Sequence, residues 1–392
     1  MNAHRAAATY GDLVHVDLND GSVSRAPFPE EAAKRFLGGR GFNVGYLYAH
    51  LPIGVDPMGA DNPLVFSCGL LTGTRAPTAS RLHINALSPL TGLIGSSNVG
   101  GYAGAWLRST GIVSLVVRGC SPAPVYLHIC DEGVEIRDAR PYWGLDAFDT
   151  QDCMAVDLKS EKLQILTIGT GGESGARFAC IVTGRDHAAG RTGLGAVMGA
   201  KQIKAIVIRK GSCKPFEDRR QVIDASVKAF VREIKASPDY ATFSKYGGAG
   251  YVKWADDMGI MGTRNYRQRR FEMIDRVDGR RLAADKVRSS GCFRCPVQCK
   301  ADLKFKAGAL KGITATRPEF EPMINLGPKC GLADLQAVVR LDNLCTQFGL
   351  DSTSAATAIA FAMDLFARGI LKESDTGGLA LPWGDAAAME TL

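Results

Sequence analysis

The sequence predicts an α+β protein, with a β-rich N-terminal domain over residues 1–210 followed by a mainly α-helical domain over residues 211–392. Three observations carry this. Short β-branched or apolar runs, most of them bounded by Gly, Pro, Asp or Ser, recur through the first half. From Asp218 onward, apolar residues fall at helical spacing instead. Between the two textures, Gly211–Pro215 breaks both patterns and marks a domain boundary.

The expected strands are Leu13–Leu18, Leu64–Ser67, Leu82–Leu87, Val113–Arg118, Val125–Cys130, Leu163–Ile168 and Ala205–Arg209, with helices at Glu30–Phe36, Ala103–Leu107 and Ala147–Leu158 between them. In the second half, Val222, Ala225, Val227, Phe230 and Ile234 mark the apolar face of one helix. Leu332–Phe348 and Ser354–Phe366 follow the same rule, and Gly349 stands where a helix C-cap is expected. The last ten residues, Trp383 to Leu392, read as the opening turns of another helix that stops without a C-cap, as in a chain cut short or a gene that ends early.

Composition narrows the class. At 46% hydrophobic and 22% charged residues, the chain has enough apolar material for real cores. A formal charge of +7 is mild and spread out, and no basic run carries interleaved aromatics, which argues against nucleic-acid binding. Met1–Tyr10 has no apolar core of a secretory signal. The most apolar stretch, Ala355–Phe366, is interrupted by Asp364 and too short to span a bilayer. Eleven cysteines without a signal imply a reducing compartment, hence a cytoplasmic location.

Eight of those cysteines (Cys68, Cys120, Cys130, Cys153, Cys180, Cys213, Cys330 and Cys345) show no metal spacing and read as buried thiols. The other three, Cys292, Cys295 and Cys299, form C-x2-C-x3-C. Soft thiolates converging from one loop suit an iron–sulfur cluster. Zinc would want a second C-x2-C or a His pair, and none of the six histidines stands at ligand spacing. Zinc and plain structural thiols remain open on spacing alone. Cys330 and Cys345 are the downstream candidates for a fourth ligand.

The 45 glycines cluster with polar residues and arginines in Gly69–Arg81, Ser96–Gly104 and Arg185–Gly195. Backbone N–H groups at turns and helix starts, together with arginine, suit phosphate. None of the three matches a known nucleotide loop, and turn chemistry explains each taken singly.

Taken in order, the motifs resemble one family. Leu37-Gly38-Gly39-Arg40-Gly41, Gly73-Thr74-Arg75-Ala76-Pro77-Thr78, Ser88-Pro89-Leu90-Thr91-Gly92, Asn98-Val99-Gly100-Gly101-Tyr102, Ala188–Gly199, the cysteine triad, Pro318-Glu319-Phe320-Glu321 and Gly349-Leu350-Asp351 together resemble the aldehyde:ferredoxin oxidoreductases, over the N-terminal two-thirds of such an enzyme. The resemblance implies that the β-rich domain cups a tungsten (or molybdenum) bis-pterin cofactor. It implies that Arg81 lies between pterin and cluster, and that the carbonyls of Asn98 and Ala188, beside Gly100, Gly101 and Arg191, help bind a magnesium ion bridging the pterin phosphates. Cys292, Cys295 and Cys299 would hold a [4Fe–4S] cluster and Glu321 would be the active-site carboxylate. Thr346, Gly349, Leu350 and Asp351 would form a pterin-binding segment, with Thr346 where the family carries Asp. His187 replaces a cofactor-contacting arginine, for which Arg185 or Arg191 would compensate. Cys345 aligns with a cysteine that is not a cluster ligand.

The implied reaction is oxidation of an aldehyde to a carboxylic acid, with electrons leaving to ferredoxin or another electron-transfer protein. Full-length members continue past residue 392 into a second pterin segment, a fourth cluster cysteine and a catalytic histidine. A second polypeptide could therefore complete the site. The alternative is a truncated or split subunit that binds a cluster and serves electron transfer, or acts as a scaffold, without oxidising aldehydes.

Overall fold

The structure, a computed structural model, describes residues 10–160, 162–216 and 220–392. Met1 to Thr9 and Asp218 lie outside the described residues. The fold is α+β, and the chain forms two compact units that are discontinuous in sequence. The first comprises Met1–Ile234, Cys292–Pro296 and Gln347–Leu350, and the second Lys235–Gly291, Val297–Thr346 and Asp351–Leu392.

The first unit holds two six-stranded sheets. One is built from β1 (Asp12–Asp17), β2 (Val23–Pro27), β3 (Leu64–Cys68), β4 (Leu82–Leu87), β5 (Ile94–Val99) and β6 (Ile112–Arg118), in the order β2-β1-β6-β3-β4-β5. The other contains β7 (Val125–Cys130), β8 (Gly133–Asp138), β9 (Leu163–Thr167), β10 (Ile181–Thr183), β11 (His187–Ala189) and β12 (Ile203–Arg209), in the order β11-β10-β9-β12-β7-β8. Two pairings, β1 with β6 and β12 with β7, are parallel; the others are antiparallel.

One hydrophobic core joins the sheets: Leu64, Phe66, Ile84 and Leu115 from the first meet Leu127, Leu166, Ile206 and Ile208 from the second. The short helices Ala103–Ser109 and Leu194–Ala200 each touch strands of both sheets. Central β3 is buried along its whole length. Its one hydroxyl there, Ser67 Oγ, donates to Ser114 Oγ on β6 at 2.6 Å, which removes the penalty of a buried unpaired polar group. Helix Gly39–His50 crosses this sheet because Asn43 Nδ2 donates to the carbonyls of Val65 and His83 and to Asn85 Oδ1.

The second unit packs its helices round a core of its own that includes Phe271, Leu303, Met323, Leu326, Val338 and Met363. A small sheet of β13 (Lys286–Ser290), β14 (Lys300–Lys304) and β15 (Thr314–Thr316) flanks them. Helices Leu335–Phe348 and Ser352–Ala367 lie where the periodicity puts them, and Gly349 between them has φ 70°, the left-handed cap conformation. Asp385 caps the last helix, Ala386–Thr391, by accepting from the N–H groups of Ala387 and Ala388.

Two expectations need correction. Helix Arg220–Ala236 forms, but none of its residues is buried, and Val222 and Phe230 from its expected apolar face are 75% and 47% exposed. Not all spacing-free cysteines are buried: Cys153 and Cys213 are exposed, because each sits on a polar surface element outside the cores.

Candidate functional site

Strands β5 and β11 are each the last strand of their sheet, and they lie against one another. That junction gathers several of the predicted residues within the first unit. In the β4–β5 ladder, Asn98 stands opposite His83, and Arg81, just before β4, donates from a guanidinium nitrogen to Asn98 Oδ1 at 3.0 Å. On β11, Ala188 pairs with Val182 and is exposed. The loop after it is tied to β5 and to the turn before that strand: Ser97 Oγ donates to the Arg191 carbonyl at 2.5 Å, and Ser88 Oγ donates to that of Thr192 at 2.7 Å. Arg81 and Arg191 are exposed. The Ser97 hydroxyl spent on the loop backbone accounts for one of the polar positions in the Gly-Ser-Ser-Asn run of β5.

Beside Arg81 is a residue that sequence reasoning missed. His83 is half-buried, and its Nδ1 is buried with no hydrogen-bond partner among the described residues. Burial first, then the charges of Arg40 and Arg81, lower its pKa from the usual 6.5. A neutral imidazole between two arginines is a surface made for an anion, and Arg40 belongs to it although only its glycine-rich motif stood out in the sequence.

The segment Cys292–Pro296 is held against the Gly100–Gly101 turn. The N–H of Phe293 donates to the Gly101 carbonyl at 3.0 Å, and the Phe293 ring meets Tyr102 edge-on at 5.9 Å. Glycine at position 100 lets the two segments approach closely: a Cβ on it would lie 2.6 Å from Cys292 Sγ and 3.1 Å from His187 Cδ2. Cys292 Sγ lies 3.6 Å from His187 Nε2, whose other ring nitrogen is 2.6 Å from Asp186 Oδ1. Burial pushes the Cys292 thiol up, but the bonds to His187 and the Gly101 backbone and the charges of His187 and Arg81 outweigh it, leaving the pKa lowered to about 7. Cys292 is therefore readied as a thiolate, the form that binds metal. The N–H of Cys295 donates to the Cys292 carbonyl at 3.0 Å, closing a turn between them. All three cysteines of the triad are half-buried. Among the described residues, no three His, Cys, Asp or Glu side chains are grouped to hold a single metal ion.

Gln347–Leu350 also belongs to the first unit. The Cys180 N–H donates to the Gly349 carbonyl at 2.8 Å, Leu350 bridges Ala179, and Gln347 Nε2 donates to Asp146 Oδ2 at 2.6 Å. The Asp146 carboxylate meanwhile caps helix Ala147–Asp157, so one acid serves both.

The second unit carries Cys299, Glu321, Thr346 and Asp351. The Cys299 carbonyl accepts from Arg317 at 2.5 Å, and Arg317, only 4% exposed, also donates to the Lys245 carbonyl. Glu321 is exposed in the first turn of helix Phe320–Leu326. The Thr346 hydroxyl donates to the Asp342 carbonyl of its own helix, and the Asp351 carboxylate accepts from Ser354 N–H and Oγ–H as an N-cap.

Asp342 itself escaped notice in the sequence. Burial raises its carboxyl, against the pull of Lys300 and a bond from Ser352, to about 6 from 3.8. A raised carboxyl favours the folded state at low pH, and that contribution is lost as pH rises through 6. Above that pH the ionised form costs roughly 3 kcal/mol, at about 1.4 kcal/mol per unit. Asp342→Asn is therefore expected to be more stable than the parent at pH 8, with the gain vanishing below pH 4. Thermal melts across that range check it, and an equal gain at both ends would rule it out.

The sequence also places the chain among known proteins. Models of aldehyde ferredoxin oxidoreductase match twice, the N-terminal domain over residues 13–210 and domains 2 and 3 over residues 225–392. The tungsten-containing aldehyde ferredoxin oxidoreductase of Pyrococcus abyssi is 36% identical over 94% of this chain and 60% of its own length. A Pyrococcus furiosus protein named aliphatic sulfonate oxidoreductase, WOR-like subunit, is 31% identical over 97% of this chain and 63% of its own. Among solved structures, the active site complex BamBC of benzoyl coenzyme A reductase with 1,5-dienoyl-CoA superposes with a TM-score of 0.83 at 29% identity, over 98% of this chain and 59% of that one. The chain spans about three-fifths of the length of these relatives.

Proposed function

The chain belongs to the aldehyde ferredoxin oxidoreductase family, and from that premise we propose that it is the cofactor-holding part of a tungsten (or molybdenum) pterin and [4Fe–4S] oxidoreductase that oxidises an aldehyde to a carboxylic acid. The observation that carries the reading is the meeting of Cys292, of lowered pKa, with the Gly100–Gly101 turn beside Arg81 and Asn98.

The residues present suit such a group. Phosphate wants arginines and turn backbone, supplied by Arg40, Arg81 and Arg191 around β4, β5 and the loop after β11. Magnesium wants oxygen ligands, and the carbonyls of Asn98 and Ala188 sit on the two edge strands, whose outer sides join no strand ladder among the described residues. Iron wants thiolates, and Cys292, Cys295 and Cys299 supply three. A bound metal–pterin would supply the two-electron oxidation, and the cluster would pass electrons on singly.

The chain's own side chains do the rest. Arg81, braced by Asn98, orients the anionic groups. Gly349 and Leu350 present backbone from a segment anchored on Cys180 and Ala179. Glu321, on the first turn of its helix, exchanges the proton of the incoming oxygen. Electrons leave to a ferredoxin-type carrier. The relative named as a subunit and the two-component BamBC complex favour a second polypeptide in the assembly. A cluster-bearing electron-transfer or scaffold subunit is the competing reading.

Metal analysis after anaerobic purification separates them. Iron with tungsten or molybdenum is expected, iron alone favours the electron-transfer subunit, and neither metal sinks both.

A further inference from the structure

His187 opens β11, where it pairs with Thr183 of β10, and its side chain is 11% exposed. Its ring lies over the Gly100–Gly101 turn: a Cβ on Gly101 would lie 3.6 Å from both Cγ and Nδ1 of the ring. Two glycines in succession leave the space that the ring fills. Each ring nitrogen then meets a partner of its own. Nδ1 lies 2.6 Å from Asp186 Oδ1, and Nε2 lies 3.6 Å from Cys292 Sγ. All of these residues belong to the first unit.

Both partners are acceptors once Cys292 binds metal. An ionised carboxylate only accepts, and a metal-bound thiolate has no proton to give. An imidazole held between two acceptors bonds both by donating from each nitrogen, which makes it a cation. Asp186 balances that charge on one side and the sulfur on the other. The backbone of Gly101 bonds the same sulfur. Cys292 Sγ therefore receives two N–H donors, one of them on a charged ring.

Reducing an iron–sulfur cluster by one electron breaks no bond and places more negative charge on its sulfurs. An N–H donor to a ligand sulfur is then worth more in the reduced state than in the oxidised one, so the potential rises. We propose that His187 holds up the reduction potential of the cluster through its hydrogen bond to Cys292 Sγ. A cluster so held accepts an electron more readily and gives one up less readily. The inference rests on the cluster-holding reading above.

The test is an equilibrium redox titration of the purified, cluster-loaded protein, followed by electron paramagnetic resonance of the reduced cluster, with iron per chain measured in parallel. His187→Ala removes the donor. It should keep its iron and shift the reduction equilibrium at least about tenfold toward the oxidised form, which is about 59 mV for one electron. His187→Gln still offers a neutral N–H, roughly half as strong as a charged donor, and should recover about half of that shift. A potential equal to the parent's in an iron-replete His187→Ala overturns the inference and leaves the cluster reading intact. A Gln variant as low as the Ala variant assigns the shift to something other than the hydrogen bond and also overturns it. Should His187→Ala lose its iron, His187→Phe carries the test, since it fills the ring's space without a donor and should show the same shift. Loss of iron in both would make His187 a requirement for holding the cluster rather than for tuning it, against the inference. A parent that binds no iron sinks the cluster reading and this inference with it.

Discussion

Cys295→Ser is expected to yield a folded protein without iron–sulfur absorbance and without electron transfer to any acceptor. Oxygen for sulfur changes volume little. The turn around the residue is held by its backbone, through the Cys295 N–H to Cys292 carbonyl bond and the Phe293 N–H to Gly101 carbonyl bond, both 3.0 Å. The fold should therefore survive, as far-ultraviolet circular dichroism would show. What is lost is the soft ligand, since a serine hydroxyl is a poor partner for iron. Iron per chain should fall to background. A variant that keeps the parent's iron content would remove Cys295 from the ligand set and take the cluster assignment with it.

The second large effect is on stability. Gly193 has φ 76°, and a Cβ there would lie 2.0 Å from the Arg177 carbonyl oxygen and 3.0 Å from its carbon. Both obstacles are backbone and cannot rotate away. Gly193 also starts helix Leu194–Ala200, whose Leu194, Val197 and Met198 belong to the core shared by the two sheets. Gly193→Ala should cost at least about 3 kcal/mol, the upper range for overpacking plus a left-handed alanine. Gly144 is the control: its φ is 90°, but a Cβ there meets nothing within 4 Å. Gly144→Ala should cost about 1 kcal/mol. Melting temperatures of the two variants decide the matter, and comparable losses would show that conformational strain, not the contact with Arg177, governs both.

Much of the fold was legible because its central strands are buried on both faces. Leu64–Cys68 and Ile112–Arg118 read as continuous apolar runs, and helices Leu335–Phe348 and Ser352–Ala367 carry their period openly. The edges were not legible. Val23–Pro27 is exposed at all five positions, so it has no alternation to detect. Ile94–Val99 is polar in part because Ser97 bonds a loop 94 residues or more away. Helix Gly39–His50 opens on Gly-Arg-Gly, a poor helix start, and is held by Asn43 reaching two strands that no local pattern announces. For Arg220–Ala236 the period was right and the burial wrong, since periodicity identifies an amphipathic helix but not what covers its apolar face.

The same division runs through the site. Arg81, Asn98, Gly100 and Cys292 could be named in advance because glycine and cysteine motifs mark them. The contact of Cys292 with His187 joins residues 105 positions apart, and His83 sits inside an ordinary strand sequence; neither leaves a local trace.

The interleaving of the chain sets the order in which the protein can be made. Fragments 292–296 and 347–350 belong to the unit that begins at the N-terminus. On a translating ribosome, that unit must wait with two gaps in its wall until residue 350 has emerged, long after its own sheets could have paired. A chain released at residue 234 would lack both fragments that complete this unit.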